Sequence, residues 1–425
     1  CSVLRFCILS SHPSITFFCM VKVEGATSEQ SKEDVGPGTG GKFAKTASPI
    51  GLLILIILAV VFALVFVACL GLKCFGIFVA VLVAICLFIK LCGASDDQSP
   101  LSIFAIIANY RNIDFDGFLK SHNKAYLDGE KTGNYVPGVC NYYELMSGII
   151  TVTSGPFWHF VPMTKGLNRK ACHDKFHHTA AEALDAKATD KILEFGCGYG
   201  EIGRQVAKIS GASVTGLTMA DAEIAGGNER IEKAGLQDRC KMVQGNYHQM
   251  PFDACSFDKV FGIYTLKYSA DLGTAISEAA RVLKPGGRFL SYEIIVTDKF
   301  DPSNKTHKEL VHNISYSTCM PPLHHAQEFR DAAKNAGLVL KEEVDLCAPP
   351  TEDPWYSCFE KTRVYDFLTF QGLYKLMRFS EAIYVMPKSF TEFFQTCVMH
   401  PTMDFVDTGR LGIVDGAVLM VWEKP

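Results

Sequence analysis

Lys191-Ile-Leu-Glu-Phe-Gly-Cys-Gly-Tyr-Gly200 is the stretch that decides the fold. Its first five residues form a short, mostly apolar run ended by glycine, the pattern of a central strand buried on both faces of a parallel sheet. Glu201 to Ser210 reads as a helix with Ile202, Val206 and Ile209 on one face. A glycine turn between strand and helix lets backbone N–H groups approach a ligand that side chains would hold off, beside the positive end of the helix. The stretch is therefore a cofactor seat. Gly198, Gly200 and Gly203 spell the G-x-G-x-x-G of dinucleotide sites. Glu194, two residues before Gly196, makes the pattern E-x-G-x-G-x-G, which S-adenosylmethionine (SAM) enzymes use for the methionine end of their cofactor. Glu194, Gly196, Gly198 and Gly200 are thus the first candidate cofactor ligands, the acid facing the cofactor's amino group.

Downstream, strands at Ser213 to Leu217, Lys241 to Gln244, Asp258 to Ile263 and Arg288 to Val296 alternate with helices at Asp221 to Ala234 and around Thr274 to Leu283. Such alternation predicts an α/β, Rossmann-like, doubly wound parallel sheet. Thr218, at the end of the second strand, is placed for the ribose hydroxyls or equally for a helix cap. Asn246, in Gln244-Gly-Asn-Tyr247 after the third strand, offers a side-chain carbonyl to the adenine amino group. With Leu283-Lys-Pro-Gly-Gly287 closing the next helix, these features in this order select SAM and the class I SAM-dependent methyltransferase fold.

Composition sets the wider limits. The 425 residues are 48% hydrophobic and carry a formal net charge of -4, so a large core is affordable and no basic excess points to nucleic acid. The 16 cysteines are scattered without C-x-x-C pairs, which argues against a disulfide framework or a zinc site and for a reducing compartment. His177-His178 and His324-His325 invite a metal, but adjacent helical residues do not face one another, and no metal is expected.

Cys1 to Cys19 lacks the order of a signal peptide, and Met20 reads as the start. Residues 1–48 are expected to form a disordered tail, Gly25 to Gly41 being rich in Gly, Ser, Glu and Lys. Ile50 to Leu72 is uncharged and spans about 34 Å as a helix, enough for a bilayer core. Lys73 interrupts, and Cys74 to Ile89 is again uncharged. Residues 49–92 are therefore expected to form a transmembrane helical hairpin. Lys42, Lys45 and Lys90 favour cytosolic ends, although Lys73 in the turn votes the other way. A SAM-dependent domain must also face the compartment that supplies SAM. Residues 93–100 read as a linker, 101–187 as a helical cap, 188–345 as the SAM-binding domain and 346–425 as a C-terminal region. Asn304-Lys-Thr306 and Asn313-Ile-Ser315 are glycosylation triplets expected to stay unmodified on a cytosolic face.

From about Tyr142 to the C-terminus the chain resembles sterol methyltransferases. The resemblance is carried by Gly211-Ala-Ser-Val-Thr-Gly-Leu217, Leu283-Lys-Pro-Gly-Gly287, Tyr292-Glu293 with Thr297-Asp298, and Asp301-Pro-Ser-Asn304 with His307-Lys308. Trp158-His159-Phe160 stands for the family's aromatic-His-Phe, and Pro354-Trp-Tyr356 and Leu411-Gly-Ile-Val-Asp-Gly416 complete the match ahead of a last apolar strand. Three departures bear on chemistry. The family's Tyr-Gly-x-Gly appears as Val152-Thr-Ser-Gly155, its Glu-x-x-x-His as Tyr264-Thr-Leu-Lys-Tyr268, and its acidic Glu-Leu-Gly-Asp-Gly as Ser315-Tyr-Ser-Thr-Cys319.

The resemblance implies an endoplasmic-reticulum membrane enzyme that methylates a sterol carbon. Methylation at C-24 passes through a carbocation that acids and aromatic faces must stabilise. Methylation at ring C-4, found in an animal branch of the family, can use an enol or enolate beside a C-3 ketone and needs a base and an oxygen-directed donor. Loss of the cation-stabilising acids favours C-4, with C-24 as the rival. His159 and Glu293 are candidate bases or sterol-hydroxyl contacts, and Tyr264 and Tyr268 candidate donors facing the methyl group. A head-group N-methyltransferase would need basic phosphate ligands, whereas Phe367, Leu368, Phe370, Leu373, Leu376 and Met377 give an apolar C-terminal third. An inactive SAM- or sterol-binding membrane protein is the non-enzymatic alternative.

Overall fold

A computed structural model describes residues 113–154, 159–348, 353–360, 371–382, 384 and 386–425. The expected tail, hairpin and linker, together with Trp158, Phe367, Leu368 and Phe370, lie outside the described residues. Among the described residues no helix is long and apolar enough to cross a membrane.

Among the described residues three helices come first: α1 (Phe115–Thr132), α2 (Val136–Ser154) and α3 (Arg169–Ala183). The sheet then begins with β1 (Lys191–Phe195), α4 (Glu201–Ser210), β2 (Ser213–Thr218), α5 (Asp221–Lys233), β3 (Cys240–Gln244) and β4 (Phe257–Ile263). It continues through α6 (Leu272–Val282), β5 (Leu283–Val296), α7 (Lys305–Thr318), α8 (Ala326–Asn335) and β6 (Val339–Asp345). After further helical turns, α9 (His400–Leu411) leads into β7 (Val414–Glu423). The seven strands lie in the order β3-β2-β1-β4-β5-β7-β6.

The expectation of a wholly parallel sheet needs correction. Strands β1 to β5 are parallel, but β7 inserts antiparallel between β5 and β6. The chain returns through α9 from the side where β5 ends, because Thr297 N donates to Ile413 O at 3.0 Å. β7 therefore starts beside the end of β5 and must run backwards. β6 gave no strand signal because it is a solvent-facing edge, with Lys341, Glu342 and Glu343 exposed. Charge on an edge strand blocks further pairing, and it also erases the apolar run that announces a strand.

Both sheet faces are covered. Phe176, Val206, Ile192, Phe261, Tyr292 and Trp355 belong to one core, whereas Leu193, Phe195, Ile276, Phe289, Phe329 and Trp422 belong to the other. α6 shows why such a helix forms: the Asp271 side chain accepts from Thr274 N, and Leu272, Ala275, Ile276, Ala279 and Ala280 are buried. A third cluster joins Phe115, Tyr126 and Tyr142 of the helical cap to Cys319, Phe393 and Cys397. The cap and the C-terminal region are thus packed together over the end of the sheet, although about 250 residues separate them in the chain.

Candidate active site

At the end of β1 the backbone enters a left-handed conformation three times, with φ of 64° at Gly196, 52° at Gly198 and 65° at Gly200. The glycines serve different ends. A Cβ on Gly196 would lie 2.2 Å from Thr265 Cγ2, whereas the nearest atom to one on Gly198 is Glu223 Oε1 at 4.0 Å. Gly196 is needed for packing, and Gly198 leaves a backbone surface a ligand can approach.

Glu194 is buried beneath this loop and its Oε2 accepts from Gly203 N at 2.9 Å, holding the start of α4 against β1. Burial pushes its carboxyl up to about 8, against the Gly203 N–H and the Arg204 charge. The Thr218 hydroxyl donates to the Glu223 carboxylate, and desolvation raises the Glu223 carboxyl. Glu223 was not foreseen. It stands in the first turn of α5, facing Gly198, and supplies the carboxylate that the end of β2 lacks. Asn246 is turned elsewhere: its Oδ1 accepts from His248 N at 2.9 Å and lies 3.1 Å from His248 Nδ1, closing its own exposed turn.

The second part of the site follows β4. Tyr264 adopts φ 55°, a conformation rarely taken by a bulky residue and found where surroundings over-determine the backbone. Glu293 of β5 does so. Its Oε1 accepts from Thr265 N at 2.9 Å and Leu266 N at 2.8 Å, and its Oε2 from Lys267 N at 3.3 Å. Burial pushes the Glu293 carboxyl up to about 7, against the Leu266 N–H and the Lys267 charge. The expected base is thus engaged in fixing the one-turn 3₁₀ helix Leu266–Tyr268. Tyr264 donates its hydroxyl to Gly416 O rather than towards a methyl group. Tyr268 is half-buried and shares a hydroxyl hydrogen bond with Tyr143 of the cap.

Lys267, between the two tyrosines, was not singled out from the sequence. It is 8% exposed, and its Nζ lies 4.4 Å from the Tyr264 ring centre and 5.0 Å from that of Tyr268. Burial brings its ammonium down to about 8, while the Glu293 charge pulls upward. The Thr265 hydroxyl donates to Gly196 O at 3.3 Å, so this turn and the glycine loop share a seam.

His159 is buried in an aromatic setting, its ring 4.9 Å from His173, 5.1 Å from Phe176 and 6.3 Å from Tyr264. Burial holds His159 and His173 well below the usual imidazole value and His177 at about 4, so all three are neutral at pH 7. One ring nitrogen from each lies within 4.8 Å of the others. This spacing could hold a metal, an arrangement that a test of adjacent histidines could not foresee. The charges of Arg169 and Lys267 oppose protonation of His159, and would oppose any added cation for the same reason. His324 and His325 are otherwise engaged: His324 Nε2 lies 2.7 Å from Ser269 O, and His325 caps α8. Phe160 packs on Trp355, Phe405 and Tyr264, with ring centres 5.2, 5.3 and 5.7 Å away, forming an aromatic wall beside the turn.

Residues 193–291 match the methyltransferase domain family. The sterol 4-C-methyltransferase strm-1 of Caenorhabditis elegans is 31% identical over 321 residues, covering 75% of this chain and 96% of the relative. The chain belongs to the sterol methyltransferase family. Other members resemble it nearly as well: 24-methylenesterol C-methyltransferase 2 of Arabidopsis thaliana is 30% identical, over 69% of this chain and 80% of its own. Among solved structures, the cyclase SpnF superposes with a TM-score of 0.50 at 17% identity, covering 67% of this chain and 93% of that one, a likeness of fold alone. This sterol methyltransferase is a SAM-dependent enzyme, and its loop fits the cofactor. Three positive-φ glycines, open space over Gly198 and the nearby Thr218–Glu223 pair leave a backbone surface on which the cofactor can rest.

Proposed function

We propose that the enzyme methylates a sterol at ring carbon C-4. SAM would be held by the backbone of Gly196, Gly198 and Gly200 above Glu194, with Thr218 and Glu223 toward the ribose; Asn246, closed on His248, is left out of this arrangement. When bound, SAM supplies an electrophilic methyl group on a sulfonium. The chain's own task is to hold a sterol carbon in line with it and exclude water, which can lower the barrier by roughly 7–11 kcal/mol. Phe160, Trp355 and Phe405 suit the flat apolar face of a sterol, and His159 is a polar group close to them through Tyr264.

The observation that carries the C-4 reading is the turn after β4. It presents two tyrosine rings and a buried lysine, and the carboxylate behind it is engaged by three backbone N–H groups. A lysine at this turn suits an enolate, whose charge its ammonium balances once formed, and supplies none of the negative charge that the carbocation of C-24 chemistry calls for. The match to a named sterol 4-C-methyltransferase over 96% of that relative supports the same reading. C-24 methylation is the second reading, favoured by the C-24 relatives at similar identity. Turnover of methyl-labelled SAM with 3-keto and 3-hydroxy sterols separates the two: C-4 methylation labels the ring, whereas side-chain label moves the assignment to C-24.

Residues 49–92 would anchor the enzyme as a hairpin in the endoplasmic-reticulum bilayer with the catalytic domain on the cytosolic side, where lipid substrate and SAM meet. Carbonate extraction and protease protection of the full chain check this. Release by carbonate, or protection of the catalytic domain in intact vesicles, would contradict it.

A further inference from the structure

Five titratable side chains meet at the end of β4. Glu293 holds three backbone N–H groups. Tyr264 donates to Gly416 O and Tyr268 pairs with Tyr143, and burial raises the phenols of Tyr264 and Tyr268 well above their ordinary value. His159 is neutral and lies against His173, Phe176 and Tyr264. Lys267 differs from all four. It is the single charged residue between Phe261 and Ala270, and its Nζ lies over two aromatic faces. Thr265, two residues earlier, touches the first glycine of the cofactor loop.

We infer that Lys267 is the catalytic base of the reaction, its amine removing the proton from the ring carbon beside a sterol 3-ketone. This inference rests on the C-4 reading above. The C-4–H bond breaks, an N–H bond forms on Nζ, and the electron pair moves into an enolate whose charge rests mainly on the C-3 oxygen. The enolate carbon is then the nucleophile for the methyl that the cofactor supplies, and the ketone is restored. The ammonium formed on Lys267 lies over the Tyr264 and Tyr268 rings, where cations are stabilised, and balances the enolate. It returns its proton to water when product leaves. Burial of the amine serves this role, since a base works best when its affinity for protons is near that of the medium.

Hydrogen exchange tests this without methyl transfer. The full chain is placed in D₂O with S-adenosylhomocysteine and a saturated 3-keto sterol, and deuterium at C-4 is followed by mass spectrometry and NMR. Wild type is expected to exchange C-4 hydrogen, and Lys267→Met and Lys267→Arg to slow that exchange by about 10²-fold or more while still binding S-adenosylhomocysteine. Arginine keeps a cation over the two rings but cannot accept a proton, so it separates catalysis from folding. Undiminished exchange in the arginine variant would overturn the role of Lys267. No deuterium at C-4 with wild type, together with side-chain label in the separate turnover of methyl-labelled SAM, would instead overturn the C-4 reading and leave Lys267 without this proton to remove.

Discussion

The loop after β1 and the turn after β4 lie at the ends of neighbouring strands and touch where Thr265 meets Gly196. They are built in opposite ways. The loop works through backbone geometry, three glycines being placed where a Cβ would clash or strain the chain. The turn works through buried charge, a carboxylate 28 residues away holding Thr265 N so that a tyrosine can adopt positive φ and a lysine can be buried. One suits a cofactor common to many chemistries; the other, on the reading proposed above, directs which carbon receives the methyl group. Generality resides in the backbone, and specificity in side chains that only the tertiary structure can hold.

The strongest way to break this comparison is at its seam. Gly196→Ala brings a Cβ to within 2.2 Å of Thr265 in a left-handed backbone, and it is expected to abolish both SAM binding and methyl transfer. Gly198→Val should remove SAM binding, read by calorimetry, while leaving the fold intact by circular dichroism; retained binding would refute the loop assignment. On the other side, Glu293→Ala strands three buried N–H groups and should lower unfolding free energy by roughly 3 kcal/mol or more. A loss confined to activity would mean that Glu293 acts chemically rather than as the turn's support.

Glu194→Gln is a subtler test. The folded carboxyl is raised to about 8 from an ordinary 4.5. The folded state therefore holds the proton more tightly than the unfolded chain. This contribution to stability is complete below about pH 4.5 and is lost as pH rises through about 8. Denaturant titrations should show the variant gaining stability relative to wild type between pH 5 and pH 8; a constant difference would mean that Glu194 is ionised in the folded state throughout. The smallest effect is expected from Tyr268→Phe, which removes the hydroxyl contact with Tyr143. It should cost about 1 kcal/mol and raise KM for sterol more than for SAM, because the pair joins the cap to the turn.

The glycine loop, the alternation through β5 and the final apolar strand could be read from the chain because each is a local pattern. Thr218 ends β2 and hydrogen-bonds Glu223, a partner obscured in the sequence by Asp221, the more conspicuous acid two residues earlier. β6 was missed because an exposed edge strand has no reason to be apolar. Tyr264 and Glu293 were named for chemistry and prove to be tied to backbone partners, since no sequence pattern tells which polar atoms a fold will use internally. Lys267 did leave a trace, a lone charge in an apolar run, yet its meaning depended on burial over two tyrosine rings. The His159, His173 and His177 cluster likewise needed α3 to be packed against the loop that carries His159.

The central claim is that the turn after β4 directs methylation to a carbon beside a ketone. Incubating the full-length enzyme with methyl-labelled SAM and a 3-keto sterol that also carries a C-24 alkene offers both acceptors in one molecule. The label is expected at C-4, located by NMR of the purified product. Label on the side chain, or no methylated product, would contradict the account.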